Sequence, residues 1–312
     1  MKRTAKKIMI PLGSIALLAV ALYGLGRLGL QPPGAGFGRR FADAVGAQPC
    51  WNNTLDTRIP QVDVYGAMER HMLGSREGGK TPKLLFVGYD GALASAMGAQ
   101  AGKPGSAVGG LAARGGLWLA QAGGAAPGDQ FTRTAPGWTS MFTGVWADRH
   151  GVYNNGDTLS PEVRTLLYQL SARGKEVSFS YSWKQHGAVT YINEAEEYPE
   201  VFRYNRDDAG TAEAMLRALN EGQDAVFGIL EYTDHEGHLS GYSHRNPRYM
   251  RALEQAEADA ARLIEAAQAR MERYPEDWLI IIASDHGGFW LDHHGTTPME
   301  STTFFASNQM IF

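Results

Sequence analysis

The sequence predicts an α/β protein with a mostly parallel central sheet and helices on both of its faces. Three observations carry this expectation. Short apolar runs of strand length recur at residues 84–89, 177–183, 225–232, 278–283 and 302–306. Helix-like stretches lie between them, above all residues 246–274, rich in Ala, Glu and Arg and stopped near Pro275. Such strand–helix alternation is the pattern of a parallel sheet covered on both sides. Finally, 38 glycines in 312 residues favour a loop-rich α/β protein over a helical bundle.

The elements follow in order. Residues 84–89 form an unbroken apolar run, suited to a strand buried on both faces. Residues 109–122 read as a helix weakened by glycine, and residues 140–145 as the start of a helix after the Pro136-Gly137 turn. For residues 161–172 the expectation is a helix with Ser160 as N-cap and Pro161 at the first position, where its missing N–H costs nothing. The later apolar runs then alternate with the long amphipathic helix. No internal repeat is visible. The chain ends at Phe312, directly after its last expected strand and with no helix to cover it, so the sequence is expected to be C-terminally incomplete.

Upstream of this pattern the chain divides into a targeting segment and a linker. Residues 1–7 are basic and residues 8–26 carry no charged side chain, a stretch close to the roughly 20 residues that span a bilayer. Residues 1–30 are therefore expected to be a signal anchor, or a signal peptide cut near Ala19-Val20-Ala21. Either way the positive flank stays cytoplasmic and the remainder is exported. Residues 31–80, rich in Gly, Pro and polar groups, read as a linker and irregular lead-in, and residues 81–312 as the functional domain.

Composition excludes several classes. The chain is 44% hydrophobic and 20% charged with a net charge of −4, so no overall basic field recruits nucleic acid. The single cysteine, Cys50, excludes an internal disulfide framework and any cysteine-based zinc cluster. Oligomeric state leaves no mark in the sequence.

Chemistry concentrates where apolar runs stop, which is where an α/β sheet delivers its functional groups. Asp90 ends the run Lys83-Leu-Leu-Phe-Val-Gly-Tyr-Asp90. Asp234-His-Glu-Gly-His238 follows the run 225–232, and Ser284-Asp285-His286-Gly287 follows the run 278–283. His293-His294-Gly295 comes shortly after. Phosphate-ester hydrolysis needs charge neutralised on the phosphoryl oxygens, an activated nucleophile and a stabilised leaving oxygen. Two divalent cations about 4 Å apart supply all three. Carboxylate and imidazole ligands suit such ions, with zinc the first expectation and manganese the alternative. Between the first two segments lie the hydroxyls Thr134, Thr139 and Ser140, each a candidate nucleophile or, more blandly, a turn or capping group.

This ordered set resembles the alkaline phosphatase superfamily and, within it, the type I phosphodiesterase/nucleotide pyrophosphatase branch. The branch carries a strand-end Asp, a Thr-x-Pro element running into Thr-Gly and His-Gly, then Asp-x-x-Gly-His, Asp-His-Gly and His-Gly. Here the second element reads Thr134-Ala-Pro136-Gly-Trp-Thr-Ser140-Met-Phe-Thr143-Gly144, continuing to His150-Gly151. The resemblance covers about residues 83–306. It implies an alkaline-phosphatase-like fold and a metal-dependent phosphohydrolase acting through a phosphothreonine intermediate on a small phosphate ester.

It further implies one ion held by Asp90, Thr134, Asp285 and His286, and another by Asp234, His238 and His294. His294 is preferred because glycine follows it directly, and His293 is the alternative. Thr134 takes the role of nucleophile, with Thr139 as runner-up, and Asn155 rather than Asn154 is the donor to a phosphoryl oxygen. His150 fixes the loop. Lys184, at the end of the run 177–183, is a candidate cation for the extra charge of a monoester. Gly137 stands where the branch carries Asn, so diester and monoester substrates both remain open. Rival readings on the same fold are a phospho-headgroup transferase, a sulfatase-like hydrolase and a non-catalytic exported binding protein.

Overall fold

The computed structural model describes residue 45 and residues 50–74, 79–126 and 128–312. The expected targeting segment lies outside the described residues. Among those described, no helix is long and apolar enough to cross a membrane.

Eight strands form one sheet: β1 (Ile59–Pro60), β2 (Thr81–Tyr89), β3 (Gly116–Gln121), β4 (Val177–Tyr181), β5 (Phe202–Tyr204), β6 (Ala225–Leu230), β7 (Glu276–Ala283) and β8 (Thr302–Ser307). Their order across the sheet is β1-β3-β8-β7-β2-β6-β4-β5. All pairings are parallel except those of β8, which runs antiparallel to both β3 and β7.

The continuous apolar runs resolve into two faces, because strand side chains alternate. From β2, Leu85, Val87 and Tyr89 enter one core, while Leu84 and Phe86 enter the other. β7 divides likewise, Ile280 and Ile282 against Leu279, Ile281 and Ala283. The first core is closed by the helices Asp208–Glu221 and Pro247–Arg273, through Met215, Leu219, Leu253, Ala260 and Leu263. The second is closed by the helices Asp63–Leu73, Thr134–Thr143 and Leu166–Ser171, through Met68, Trp138, Phe142 and Leu167.

Several boundaries differ from the sequence expectation. Residues 109–122 are not one helix. A helix at Ala107–Ala112 gives way, after Gly115, to β3, whose apolar residues pair with β8. The helix expected from Pro161 begins at Leu166, with Thr165 as its N-cap. Glu194 fixes that start by accepting from both the Thr165 amide (2.9 Å) and hydroxyl (2.5 Å), while Ser160 bonds Glu162 instead. The supposed lead-in contributes an edge strand and the helix Asp63–Leu73. The long helix runs Pro247–Arg273 with Asn246 as N-cap, its side chain accepting from Arg248.

Candidate metal and phosphoryl-transfer site

β2 lies between β7 and β6, and register carries three carboxylates into one row. Gly88 is level with Ala283 of β7, and Tyr89 with Leu230 of β6. Continued past the strand ends, that register sets Asp90 level with Asp285 and Glu231. The alternation of β2, β6 and β7 also sends all three to the core face that holds the helix Thr134–Thr143. Close packing keeps them there. Gly88 leaves room for the Trp138 ring, since a Cβ would lie 2.5 Å from it, and Gly137 leaves room for Asp285, where a Cβ would approach to 2.8 Å.

Asp90 and Asp285 each have one oxygen fixed and one aimed. Trp138 Nε1 donates to Asp90 Oδ2 (2.8 Å), and the Gly91 amide donates to Asp285 Oδ1 (3.2 Å). Asp90 Oδ1 and Asp285 Oδ2 are buried without a hydrogen-bond partner. They lie 3.5 and 3.3 Å from His286 Nε2. Thr134, the first residue of its helix, is 4% exposed and holds its Oγ1 3.5 Å from the same nitrogen. The N-terminal end of a helix favours negative charge.

Asp234 anchors the adjoining half of the site from the helix Tyr232–Ser240. Its Oδ2 is 3.4 Å from His238 Nε2 and its Oδ1 3.6 Å from His293 Nε2, while Tyr242 donates its hydroxyl to Oδ1. The His286 and His293 rings stack at 3.9 Å, joining the two halves. Gly91 adopts φ 62° against Asp234, where a Cβ would lie 2.6 Å from Oδ1.

The imidazoles share one arrangement. Nδ1 of His286 faces the Gly287 carbonyl at 2.8 Å, that of His293 the Thr132 carbonyl at 2.8 Å, and that of His238 the Leu291 carbonyl at 2.9 Å. A carbonyl cannot donate, so each Nδ1 carries the proton; Nε2 of His286 and of His293 is left with a lone pair near carboxylate oxygens, whereas Nε2 of His238 bonds Asp234. This is how outer partners set up histidine for a metal.

Electrostatics point the same way. Burial first, and then the charges of Glu231 and Asp234, push the Asp90 carboxyl well above its ordinary range. Asp285 is raised likewise, by burial and then by Asp90 and Asp234. Burial opposes charge on Asp234, yet the bond to His238 and the neighbouring imidazoles hold it below the usual carboxylate range. Burial drives His286 well below its ordinary value and lowers His293, whereas the bond to Asp234 lifts half-exposed His238 to about 9. Buried acids facing one another with unpartnered oxygens call for a cation. Among the described residues, Asp90, Asp285 and His286 bring their donor atoms close enough to hold one cation, with Thr134 beside them; so do Asp234, His286 and His293, and His238 with Asp292 and His293.

The two neighbouring histidines are placed differently. The structure places His293, 6% exposed, beside Asp234. His294 sits at φ 104° with its Nδ1 3.4 Å from Asp292. Lys184 is outside the cluster: its side chain is exposed and makes no hydrogen bond to the site. Two residues on, His186 is fully buried, with Nε2 3.9 Å from Glu231.

Asn155 Oδ1 accepts from the Ala135 amide (3.0 Å), which fixes the asparagine against the start of the Thr134 helix. Asn154 instead accepts from Arg133 (3.1 Å). Thr139 is buried against Tyr191 (3.1 Å), and Ser140 binds Gln130 and His150. Sequence reasoning missed Glu231 and Tyr242. The period-two alternation of β6, carried one residue further, would have found the first. Nothing local marks the second.

The family model for type I phosphodiesterase/nucleotide pyrophosphatase matches residues 131–300, more than half of the 312-residue chain. The chain belongs to this family. Among solved structures, a protein described as a sulfatase from Bacteroides thetaiotaomicron aligns with a TM-score of 0.53 at 14% identity, covering 73% of this chain and 64% of its own. A 2-O GAG sulfatase aligns at 0.50 and 15% identity, with 73% and 64% covered. Murine ectonucleotide pyrophosphatase/phosphodiesterase 5 aligns at 0.49 and 18% identity, with 66% and 57% covered. The first two establish the α/β fold. The chain spans less than two thirds of the length of these structures. No curated protein sequence matches it.

Proposed function

We propose that this member of the phosphodiesterase family is an exported, metal-dependent hydrolase of small phosphate esters. The observation that carries the reading is the paired arrangement of unpartnered carboxylate oxygens and backbone-fixed imidazoles beside the Thr134 hydroxyl. Asp90, Asp285, His286 and Thr134 would hold one divalent cation and Asp234, His238 and His293 another, zinc being the first choice. Bound there, the ions supply charge neutralisation and lower the pKa of a nearby hydroxyl or water.

The residues of the chain do the rest. Thr134 Oγ1 attacks phosphorus in line, the bond to the leaving oxygen breaks, and a phosphothreonine ester remains; water then cleaves that ester and restores the hydroxyl. Asn155, fixed through its carbonyl oxygen, directs its amide nitrogen toward a phosphoryl oxygen. Trp138 and Gly91 hold Asp90 and Asp285, and Tyr242 holds Asp234. Diesters and monoesters both remain open as substrates. A sulfatase would need a modified cysteine or serine at the start of the helix, where this chain has Thr134; Cys50 is half-buried with its thiol toward the Gly98 carbonyl.

The decisive assay compares p-nitrophenyl phosphate with bis-p-nitrophenyl phosphate, with and without added zinc. Thr134→Ala should cut kcat/KM by a factor on the order of a thousand, the scale of losing a covalent nucleophile, while retaining bound metal. Turnover at the wild-type rate in that variant would sink the mechanism. Export rests on residues 1–30 alone. Cell fractionation with alkaline carbonate should leave the full chain in the membrane pellet if they anchor it, and recovery in the cytoplasm would refute export.

A further inference from the structure

The start of the helix Pro247–Arg273 is fastened to both halves of the site. Asn246, its N-cap, donates from Nδ2 to Ser240 Oγ (2.8 Å) and to the Gly241 carbonyl (2.8 Å), at the end of the helix that carries Asp234 and His238. Tyr249, in the first turn, is fully buried and reaches the other half. Its hydroxyl donates to the Gly91 carbonyl (2.7 Å) and accepts from the Leu93 amide (2.9 Å).

The turn that Tyr249 holds is the one that follows Asp90. The peptide between Gly91 and Ala92 is gripped at both ends, its carbonyl by Tyr249 and its amide by Ser284 Oγ (3.0 Å). Ser284 in turn donates to the His286 carbonyl (2.9 Å). One bond back along the chain, the Gly91 amide is the group that donates to Asp285 Oδ1 (3.2 Å). Glycine rotates more freely than any other residue, so the direction of that amide has to be set by what holds the next peptide. Among the described residues, no other side chain bonds the Gly91 carbonyl or the Leu93 amide. Without the hydroxyl both groups would be buried and unpaired, a cost that turning the loop would relieve.

We propose that Tyr249 is a positioning residue for the first cation, the one held by Asp90, Asp285 and His286, a role that rests on the proposed function. Pinning the Gly91 carbonyl and the Leu93 amide keeps the Gly91 amide on Asp285 Oδ1. That leaves Oδ2, which has no hydrogen-bond partner, aimed at the cation position 3.3 Å from His286 Nε2. A ligand whose direction is fixed from behind binds its ion more tightly than one free to turn.

The test titrates zinc into the metal-stripped full chain and reads both binding steps by calorimetry, with Asp90→Asn marking the step that belongs to the first cation. Tyr249→Phe removes one oxygen and keeps the ring beside Tyr242. It should weaken the marked step about 10–100-fold, the usual cost of losing an outer partner of a ligand, and leave the other step within a few-fold of wild type. Tyr89→Phe is the control, since its hydroxyl bonds Glu257 on the same long helix (3.1 Å); it should leave both steps as they are. Urea unfolding of the stripped proteins checks that each variant folds. Unchanged zinc binding in Tyr249→Phe, an equal loss at both steps, a matching loss in Tyr89→Phe, or a Tyr249→Phe chain that does not fold overturns the positioning role and leaves the cation site standing. Wild type that takes up no zinc overturns the proposed function as well.

Discussion

Adjacent histidines show how much a single side-chain direction decides. His293 and His294 have the same chemistry and differ by one peptide, yet His293 stacks on His286 and faces Asp234 while His294 lies against Asp292. Replacing it by alanine should weaken binding of the second cation by more than the roughly 10–100-fold seen when an outer partner of a ligand is lost. His294→Ala should leave that affinity within a few-fold of wild type. Titration of zinc into the metal-stripped protein measures both, and the opposite ranking would restore His294 as the ligand. Glu231 belongs to the same scale. Burial and the charge of Asp234 push its carboxyl well above the ordinary range, so a third acid stands level with Asp90 without a cationic side chain to offset it.

At the scale of elements, the site depends on how closely one helix approaches the sheet. The helix Thr134–Thr143 is fully buried and meets β2 through Trp138, whose ring occupies the space left by Gly88. Gly88→Ala puts a methyl group 2.5 Å from that ring. It should cost about 1–3 kcal/mol in urea unfolding, the usual cost of overpacking, and should loosen metal binding through the Trp138–Asp90 bond. Full stability with normal metal affinity would show that the helix has slack. The left-handed Gly144 ends this helix, and its hydrogen lies where a side chain would strike Tyr65, so this end of the element is matched to a neighbour far away in sequence.

At the scale of the whole molecule, two buried histidines should contribute acid sensitivity. Burial lowers both His150 and His186 to about 3. The unfolded chain binds protons at these positions near pH 6.5 and the folded chain does not. Their contribution is therefore full above pH 6.5 and is lost as the pH falls from 6.5 toward 3. Each group adds a slope of about 1.4 kcal/mol per pH unit inside that window. His150 accepts from the Val152 amide through Nδ1 at 3.0 Å and lies 3.1 Å from Ser140 Oγ, so its environment is fixed by the fold. Urea unfolding at pH 7 and pH 5 should show a shallower acid dependence in His150→Asn than in wild type. Parallel curves would exclude the histidine as the cause.

What the sequence determined by itself was local and periodic. Apolar runs ending in Asp90 and Asp285 marked the central strands, since strands buried on both faces must be apolar and must stop where polar groups begin. The long helix with Asn246 and Pro247 at its start was equally legible, because capping and amphipathic spacing are properties of neighbours in the chain. Tertiary structure alone decided the remainder. It chose His293 over His294, reversed β8, turned residues 116–121 into a strand and brought Glu231 and Tyr242 to the carboxylates. Each of these outcomes depends on which strand lies beside which and in what register, a contest between distant surfaces that no stretch of neighbouring residues encodes.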